Sequence, residues 1–219
     1  MSLTFAVYFL IALVLAIDVH EFCHAWMADQ LGDPTARYQG RVSLNPLVHL
    51  DPLGSLMILL MAFAGVGFGW GKPVPVNGNN LKHGPIVGEA MVAASGPLAN
   101  ILAAGLVAVP LRLTMGTRNL PGSAFELLLV LFIVNISLAA FNLLPIFPLD
   151  GYHVLLGILH ELPFRLTRQL WIVLSSGAVQ LYGPMILMLA MFMGRGVLSR
   201  ILSPVINAFA TVFLGLPVY

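Results

Sequence analysis

The chain has 219 residues, of which 59% are apolar and 9% are charged, and its mean hydropathy is +0.94. An ordinary soluble domain carries about 25% charged residues, so this composition excludes a soluble globular protein. Ten basic and nine acidic residues leave a net charge of +1, so no electrostatic field favours nucleic acid as a partner, and the single cysteine excludes internal disulfides.

Six stretches of the chain lack charged residues and approach the length of a membrane span, since a helix needs about 20 mostly apolar residues to cross the hydrocarbon layer. They are residues 2–17, 53–71, 90–111, 127–149, 169–194 and 201–219. We therefore predict an all-α polytopic membrane protein that forms a single integral-membrane domain over residues 1–219. Its helical bundle would contain about five to six transmembrane segments in a lipid bilayer.

The first stretch has neither a basic region before it nor an A-x-A cleavage site, so we interpret it as a retained span rather than a signal peptide. It is predicted to remain helical to about Ala28, because Gly32, Asp33 and Pro34 then end the helix. Residues 33–52 alternate loosely between apolar and polar side chains. This alternation predicts a small interfacial β element or a loop.

The second stretch is the weakest candidate for a full span, because it is interrupted by glycines at positions 65, 67, 69 and 71 and leads into Lys72-Pro73-Val74-Pro75. Irregular backbone at membrane depth persists only where it is buried in protein or lines a cavity. We therefore predict that residues 53–71 form a re-entrant Gly/Pro-rich hairpin.

The strongest chemical signal is the pentapeptide His20-Glu21-Phe22-Cys23-His24. Residues four apart lie on one face of a helix, so the two imidazoles can bind a single Zn²⁺ while Glu21 reaches a water molecule on the metal. Ionisable side chains inside a membrane span are costly and usually functional. The alternative is an interfacial cluster whose histidines reach out to water.

A catalytic zinc needs a third protein ligand, and Asp150 is the candidate. It follows the uncharged stretch 127–149, in which Pro145 and Pro148 break the helix, and it precedes Gly151, which allows a backbone turn. An unwound segment here would free the carboxylate to reach the metal. The alternative for Asp150 is a solvated aspartate at a helix end. His153, three residues further on, could instead supply the ligand, or it could support one.

These residues together resemble the site-2 protease family, the intramembrane zinc metalloproteases of peptidase family M50. The resemblance includes the H-E-x-x-H pentapeptide and the segment 142–151 with its Leu-Asp-Gly triplet at 149–151. Residues 69–77 and 94–100 are similar to those of a prokaryotic subgroup. The resemblance therefore covers residues 20–151, which we interpret as the catalytic core, and residues 152–219 would add transmembrane helices.

The resemblance implies that His20, His24 and Asp150 bind one Zn²⁺ per chain and that Glu21 is the general base. It also implies that Asn142 lies beside the bound peptide and holds its carbonyl oxygen or oxyanion. Asn100 is a second candidate contact in the cleft, with an interhelical hydrogen bond as the alternative. Many relatives carry a PDZ or CBS domain, but no soluble stretch here exceeds about 25 residues, so we expect neither.

The implied function is a zinc-dependent endopeptidase that cleaves transmembrane proteins or peptides within the membrane, as part of regulated intramembrane proteolysis. Two other functions stay open at this point. A divalent-metal transporter would also place histidine and aspartate at membrane depth, and its metal flux would survive Glu21→Gln. A catalytically inactive membrane scaffold would bind no zinc.

His20 and Asp150 share one depth only if the first and fourth stretches run parallel, which requires that residues 53–71 do not cross fully. Six basic residues then lie on the active-site side: Arg37, Arg41, Lys72, Lys82, Arg165 and Arg168. Four lie on the opposite side: Arg112, Arg118, Arg195 and Arg200. This excess predicts an active site nearer the cytoplasm, in a prokaryotic plasma membrane.

Overall fold

The structure is a computed structural model that describes residues 2–64, 69–114, 121–193 and 195–218. Within these ranges the chain forms ten α-helices, one short 3₁₀ turn at Gly78–Asn80 and no strand. The helices are α1 (Leu3–Gln30), α2 (Thr35–Tyr38), α3 (Pro46–His49), α4 (Pro52–Ala64), α5 (Gly84–Thr114), α6 (Gly122–Asn142), α7 (Asp150–Glu161), α8 (Arg165–Leu174), α9 (Gly177–Met193) and α10 (Arg195–Leu214). The predicted all-α architecture is confirmed for these residues.

Three of the described helices, α1, α5 and α6, are long and apolar enough to cross a membrane. Helices α8 and α9 meet at an angle of 67° and would make a fourth span if counted together. Helix α4 has 13 residues, or about 20 Å at 1.5 Å per residue, and the hydrocarbon layer is about 30 Å thick. The expected five to six spans are therefore not confirmed.

The central bundle places α1 and α6 parallel to each other, with α5 running in the opposite direction. The amide of Lys82 donates to the carbonyl of Leu31 at 2.8 Å, which joins the end of α1 to the start of α5. Along the bundle, Leu13 of α1 packs in one buried cluster with Val130 and Val134 of α6. The carboxyl ends of α1 and α6 therefore lie at the same end, where His20 and Asp150 can meet.

Helix α4 packs against the bundle, with Ile58 in the same buried cluster as Leu13, and the chain is back beside Leu50 at Gly71. Gly71 pairs with Leu50 in a single antiparallel bridge, and the next amide, of Lys72, donates to the carbonyl of His49 at 2.7 Å. A Cβ atom on Gly69 would collide with Ile58 of α4, so the returning chain packs directly on that helix. That residues 53–71 form a re-entrant hairpin stays a prediction. Positions 65 and 67 lie outside the described residues.

The segment 33–52 contains two short helices, α2 and α3, where the alternating pattern predicted strands. Among the described residues the expected β element is reduced to the bridge between Leu50 and Gly71. The reason is local capping: the side chain of Asn45 accepts a hydrogen bond from the Leu47 amide at 3.1 Å, and Pro46 occupies the first turn of α3. Both features favour the start of a helix over a weak alternation.

Asp33, just after α1, forms hydrogen bonds with Asn77 and Asn80 and so connects the end of α1 to the segment that contains them. Its fully buried carboxylate accepts four hydrogen bonds, from the amide and hydroxyl of Thr35, the amide of Asn77 and the side-chain amide of Asn80. Burial by itself would raise the pKa of Asp33, but these hydrogen bonds favour the charged form and lower the pKa below its usual value.

We predict that Asp33→Asn lowers the free energy of unfolding at pH 7 by about 2–4 kcal/mol, because an amide cannot accept all four bonds. The carboxylate has a lower pKa in the folded chain than its unfolded value of about 3.9, so its stabilisation is present above that pH and is lost as the pH falls further. Thermal unfolding in detergent at pH 7 and pH 3 measures the effect. A difference between wild type and variant that does not shrink at pH 3 would contradict it.

Candidate metal centre

Two histidines of α1 and the first residue of α7 converge at one end of the bundle. The Nε2 atoms of His20 and His24 lie 3.0 Å apart. The carboxylate of Asp150 approaches both, with Oδ2 at 3.0 Å from Nε2 of His20 and Oδ1 at 3.4 Å from Nε2 of His24. Both histidines are buried. The structure therefore brings together the three side chains that the sequence singled out as metal ligands.

The three side chains fit a zinc ion. Ligand atoms held at about 2.1 Å from zinc in a tetrahedral arrangement lie about 3.4 Å from one another, close to the separations of 3.0–3.4 Å found here. Oδ2 of Asp150 is buried and has no hydrogen-bond donor among the described residues. Two imidazoles and one carboxylate are also the ligand types of catalytic zinc sites, which leave the fourth position open.

Asp150 reaches this position because the chain leaves helical geometry between α6 and α7. Helix α6 ends at Asn142, residues 143–149 form turns, and α7 begins at Asp150 itself. A Cβ atom on Gly151 would collide with the carbonyl of Leu143, so only glycine lets α7 start against the end of α6. The predicted unwinding is present, and the glycine serves close packing rather than a turn.

Helix α5 packs directly against the two histidines of the centre. A Cβ atom on Gly96 would lie 2.5 Å from Nε2 of His24 and 2.7 Å from Cε1 of His20, so the glycine lets α5 touch both imidazole rings. Nδ1 of His24 donates to the carbonyl of Val92 at 2.8 Å. No contact of Gly96 or Val92 with the candidate ligands was predicted from the sequence. The available signal was the segment 94–100, whose small residues allow another helix to approach closely and which is similar to a prokaryotic subgroup.

One of the two expectations for Asn100 was a contact in the cleft, and Asn100 does not line the cleft. Its side chain is fully buried between helices, with Nδ2 donating to the carbonyl of Ala16 at 2.9 Å and to Oδ1 of Asn135 at 3.0 Å. The interhelical alternative is therefore correct. Its Oδ1 also lies 2.7 Å from Nδ1 of His20, a contact that the sequence did not reveal.

A cavity of about 1250 Å³ opens onto the three candidate ligands. Glu21 lines it, and its Oε1 lies close to the backbone of Gly71, where an added Cβ atom would be 3.2 Å away. Asn142 also lines it, with Nδ2 donating to the carbonyl of Leu138 at 3.0 Å. His153 lines the same cavity but its Nδ1 faces Oε2 of Glu89 at 3.9 Å, outside the group of three.

Comparison with known proteins gives one family. The model of the family described as "Peptidase family M50" matches residues 117–183. "Putative zinc metalloprotease YwhC" of Bacillus subtilis is 39% identical over 155 residues, which cover 68% of this chain and 67% of that protein. Relatives named "Putative zinc metalloprotease Rip2" from Mycolicibacterium smegmatis and Mycobacterium tuberculosis are 30% identical over 146 and 147 residues, 65% of this chain. The chain spans about half the length of the Rip2 relatives, 53% in each case. No solved structure matches.

We predict that Gly96→Ala weakens zinc binding by about tenfold or more, because the new methyl group displaces the imidazoles of His20 and His24. Zinc affinity of the purified protein, measured by competition with a chromophoric chelator, reports the effect. The matched control is Gly122→Ala, where an added Cβ atom meets nothing within 4 Å. Equal zinc affinities for the two variants would contradict the packing described for α5.

Proposed function

The chain belongs to the site-2 protease family of zinc metalloproteases, peptidase family M50, and we propose that it hydrolyses peptide bonds within transmembrane segments of other proteins. The observation that carries the proposal is the group of His20, His24 and Asp150, whose ligand atoms lie within 4.8 Å of one another beside Glu21. This group faces a cavity between helices that are apolar and long enough to span a membrane. A hydrolytic centre placed there acts on substrate that enters from the bilayer.

In the proposed enzyme, His20, His24 and Asp150 hold one zinc ion through two Nε2 atoms and a carboxylate oxygen. When bound, zinc polarises the scissile carbonyl and lowers the pKa of a water molecule towards neutrality. Glu21 accepts a proton from the attacking water and later returns it to the nitrogen of the leaving amine. Asn142, on the cavity wall, donates a hydrogen bond to the carbonyl oxygen as negative charge develops there.

The lining of the cavity supports an apolar substrate. Its wall along α1 and α6 is apolar and includes Phe9, Leu13, Ile17, Val130, Val134 and Leu138. A transmembrane helix satisfies its own backbone hydrogen bonds, so it must unwind locally before a peptide bond can be attacked. The returning chain after the hairpin, residues 69–76, borders the same cavity and can offer backbone groups to the unwound segment as an added strand.

The proposed location is a prokaryotic plasma membrane, with the centre nearer the cytoplasm, and the proposed role is regulated intramembrane proteolysis. The relatives described above come from bacteria. Arg37, Arg41, Lys72 and Lys82 lie in the segments that join α1 to α5 at the end of the bundle that holds the centre. The positive-inside rule assigns the end of the bundle that is richer in Lys and Arg to the cytoplasmic face. Arg118, counted earlier on the opposite side, lies outside the described residues.

We predict that Glu21→Gln lowers cleavage by about 10²–10⁴-fold and leaves zinc bound, because the amide cannot take a proton while all three candidate ligands remain. The measurement is cleavage of a tagged single-span membrane protein by purified enzyme in detergent, with zinc content determined on the same samples. Glu126→Gln, which changes an exposed glutamate on α6 in the same way, is the control.

Cleavage inside the span by wild type and the control, lost on chelation and restored by zinc, is the expected result. Cleavage by Glu21→Gln at the wild-type rate would contradict the assignment of the base. Zinc flux into liposomes that survives Glu21→Gln, without cleavage by wild type, would replace the protease with a transporter.

A further inference from the structure

Asn100 contacts the candidate ligand His20 from the side remote from the other two ligands. It lies within α5, is fully buried and does not line the cavity. Oδ1 of Asn100 lies 2.7 Å from Nδ1 of His20, while the Nε2 atom of the same ring faces His24 and Asp150. The two residues are 80 positions apart in the chain.

The hydrogen-bond network leaves one orientation for this amide. The carbonyl of Ala16, 2.9 Å away, only accepts hydrogen bonds, so the Asn100 atom that faces it is the donor Nδ2. Asn135 is fixed in the same way, because its own Nδ2 donates to the carbonyl of Leu131 at 2.9 Å and its Oδ1 is left to accept from Asn100 at 3.0 Å. Both hydrogens of Asn100 Nδ2 are thereby used, and its Oδ1 faces His20.

An amide oxygen accepts hydrogen bonds and cannot donate, so the Nδ1 atom of His20 that faces it carries a proton. A neutral imidazole has one such proton, and with that proton on Nδ1 the Nε2 atom presents a lone pair. We propose that Asn100 is a positioning residue that holds His20 in this tautomer and orientation, with Nε2 directed at the zinc. The proposal rests on the zinc site proposed above.

An amide suits this position better than the carboxylate that often supports a metal-bound histidine. A carboxylate at position 100 would add a second negative charge near Asp150 in the bundle interior, where an unpaired charge is costly. It would also replace Nδ2 by an oxygen atom, which would face the carbonyl of Ala16 and Oδ1 of Asn135, and both of these are acceptors. The neutral amide satisfies all three neighbours at once.

The competing explanation is that Asn100 only joins three helices through hydrogen bonds, as buried polar residues in membrane bundles do. That role needs the two bonds of Nδ2, to α1 and α6, and not the bond of Oδ1 to His20. Asn135 provides a matched control, because it is a buried asparagine of the same network that is one hydrogen bond further from His20. Replacing it disturbs the network and leaves the contact between Asn100 and His20 in place.

The test compares the zinc affinity of wild type, Asn100→Leu and Asn135→Leu in detergent, by competition with a chromophoric chelator. Leucine has the same number of heavy side-chain atoms and the same branch point as asparagine, and it makes no hydrogen bond. Asn100→Leu is expected to lower zinc affinity by about 10–100-fold and Asn135→Leu by about threefold at most. Equal losses in the two variants, or no loss in Asn100→Leu, would overturn the proposal.

A second measurement uses the wild-type protein, so it does not depend on the folding of a variant at position 100. In zinc-loaded wild type labelled with ¹⁵N-histidine, the Nδ1 atom of His20 is expected to show a bound proton that exchanges slowly with water, with zinc on Nε2. A proton on Nε2, or zinc on Nδ1, would overturn the proposal. If wild type and Asp150→Asn instead bind zinc with equal affinity, the proposed zinc site itself fails, which separates that outcome from a failure confined to Asn100.

Discussion

The rest of this structure depends on one constraint, which is that three potential metal-ligand atoms are held together inside an apolar bundle. The ligand atoms of His20, His24 and Asp150 lie within 4.8 Å of one another, and both histidines are buried. Gathering such groups away from water is unfavourable unless their other polar atoms have partners and a cation occupies the centre. The outward nitrogens of the two rings meet Val92 and Asn100, so the uncompensated atoms all point inward. The centre is therefore organised for a positive ion.

Each element around the centre contributes one feature to its geometry. Helix α1 stays continuous and sets the two histidines one turn apart. Helix α5 carries a glycine at 96, which lets it press against both rings, and α6 stops at Asn142 so that α7 can begin with Asp150. The chain after α4 returns beside α1, where Gly71 leaves room for the side chains of Ile17 and Glu21. The geometry of the centre follows from where helices stop and where side chains are absent.

The sequence predicted the three candidate ligands because residue type and spacing decide that chemistry locally, and the break before Asp150 because two prolines interrupt the helix. Other features depend on contacts between distant segments. The role of Asn100 follows from its contact with a residue 80 positions away, and that of Gly96 from the position of α5 against α1. In residues 33–52 the capping of α3 favours a helix more strongly than the weak alternation favours a strand. The number of spans was not confirmed because absence of charge does not ensure a continuous helix, as the 13 residues of α4 illustrate.

X-ray absorption at the zinc edge of the purified, zinc-loaded protein tests the metal centre most directly, because it reports the ligand atoms themselves. The account predicts one zinc per chain, two imidazole nitrogens and oxygen ligands at about 2.0–2.2 Å, and the loss of one imidazole in His24→Ala. A sulfur ligand at about 2.3 Å, which only Cys23 among cysteines could supply, or an imidazole count unchanged in His24→Ala, would contradict it.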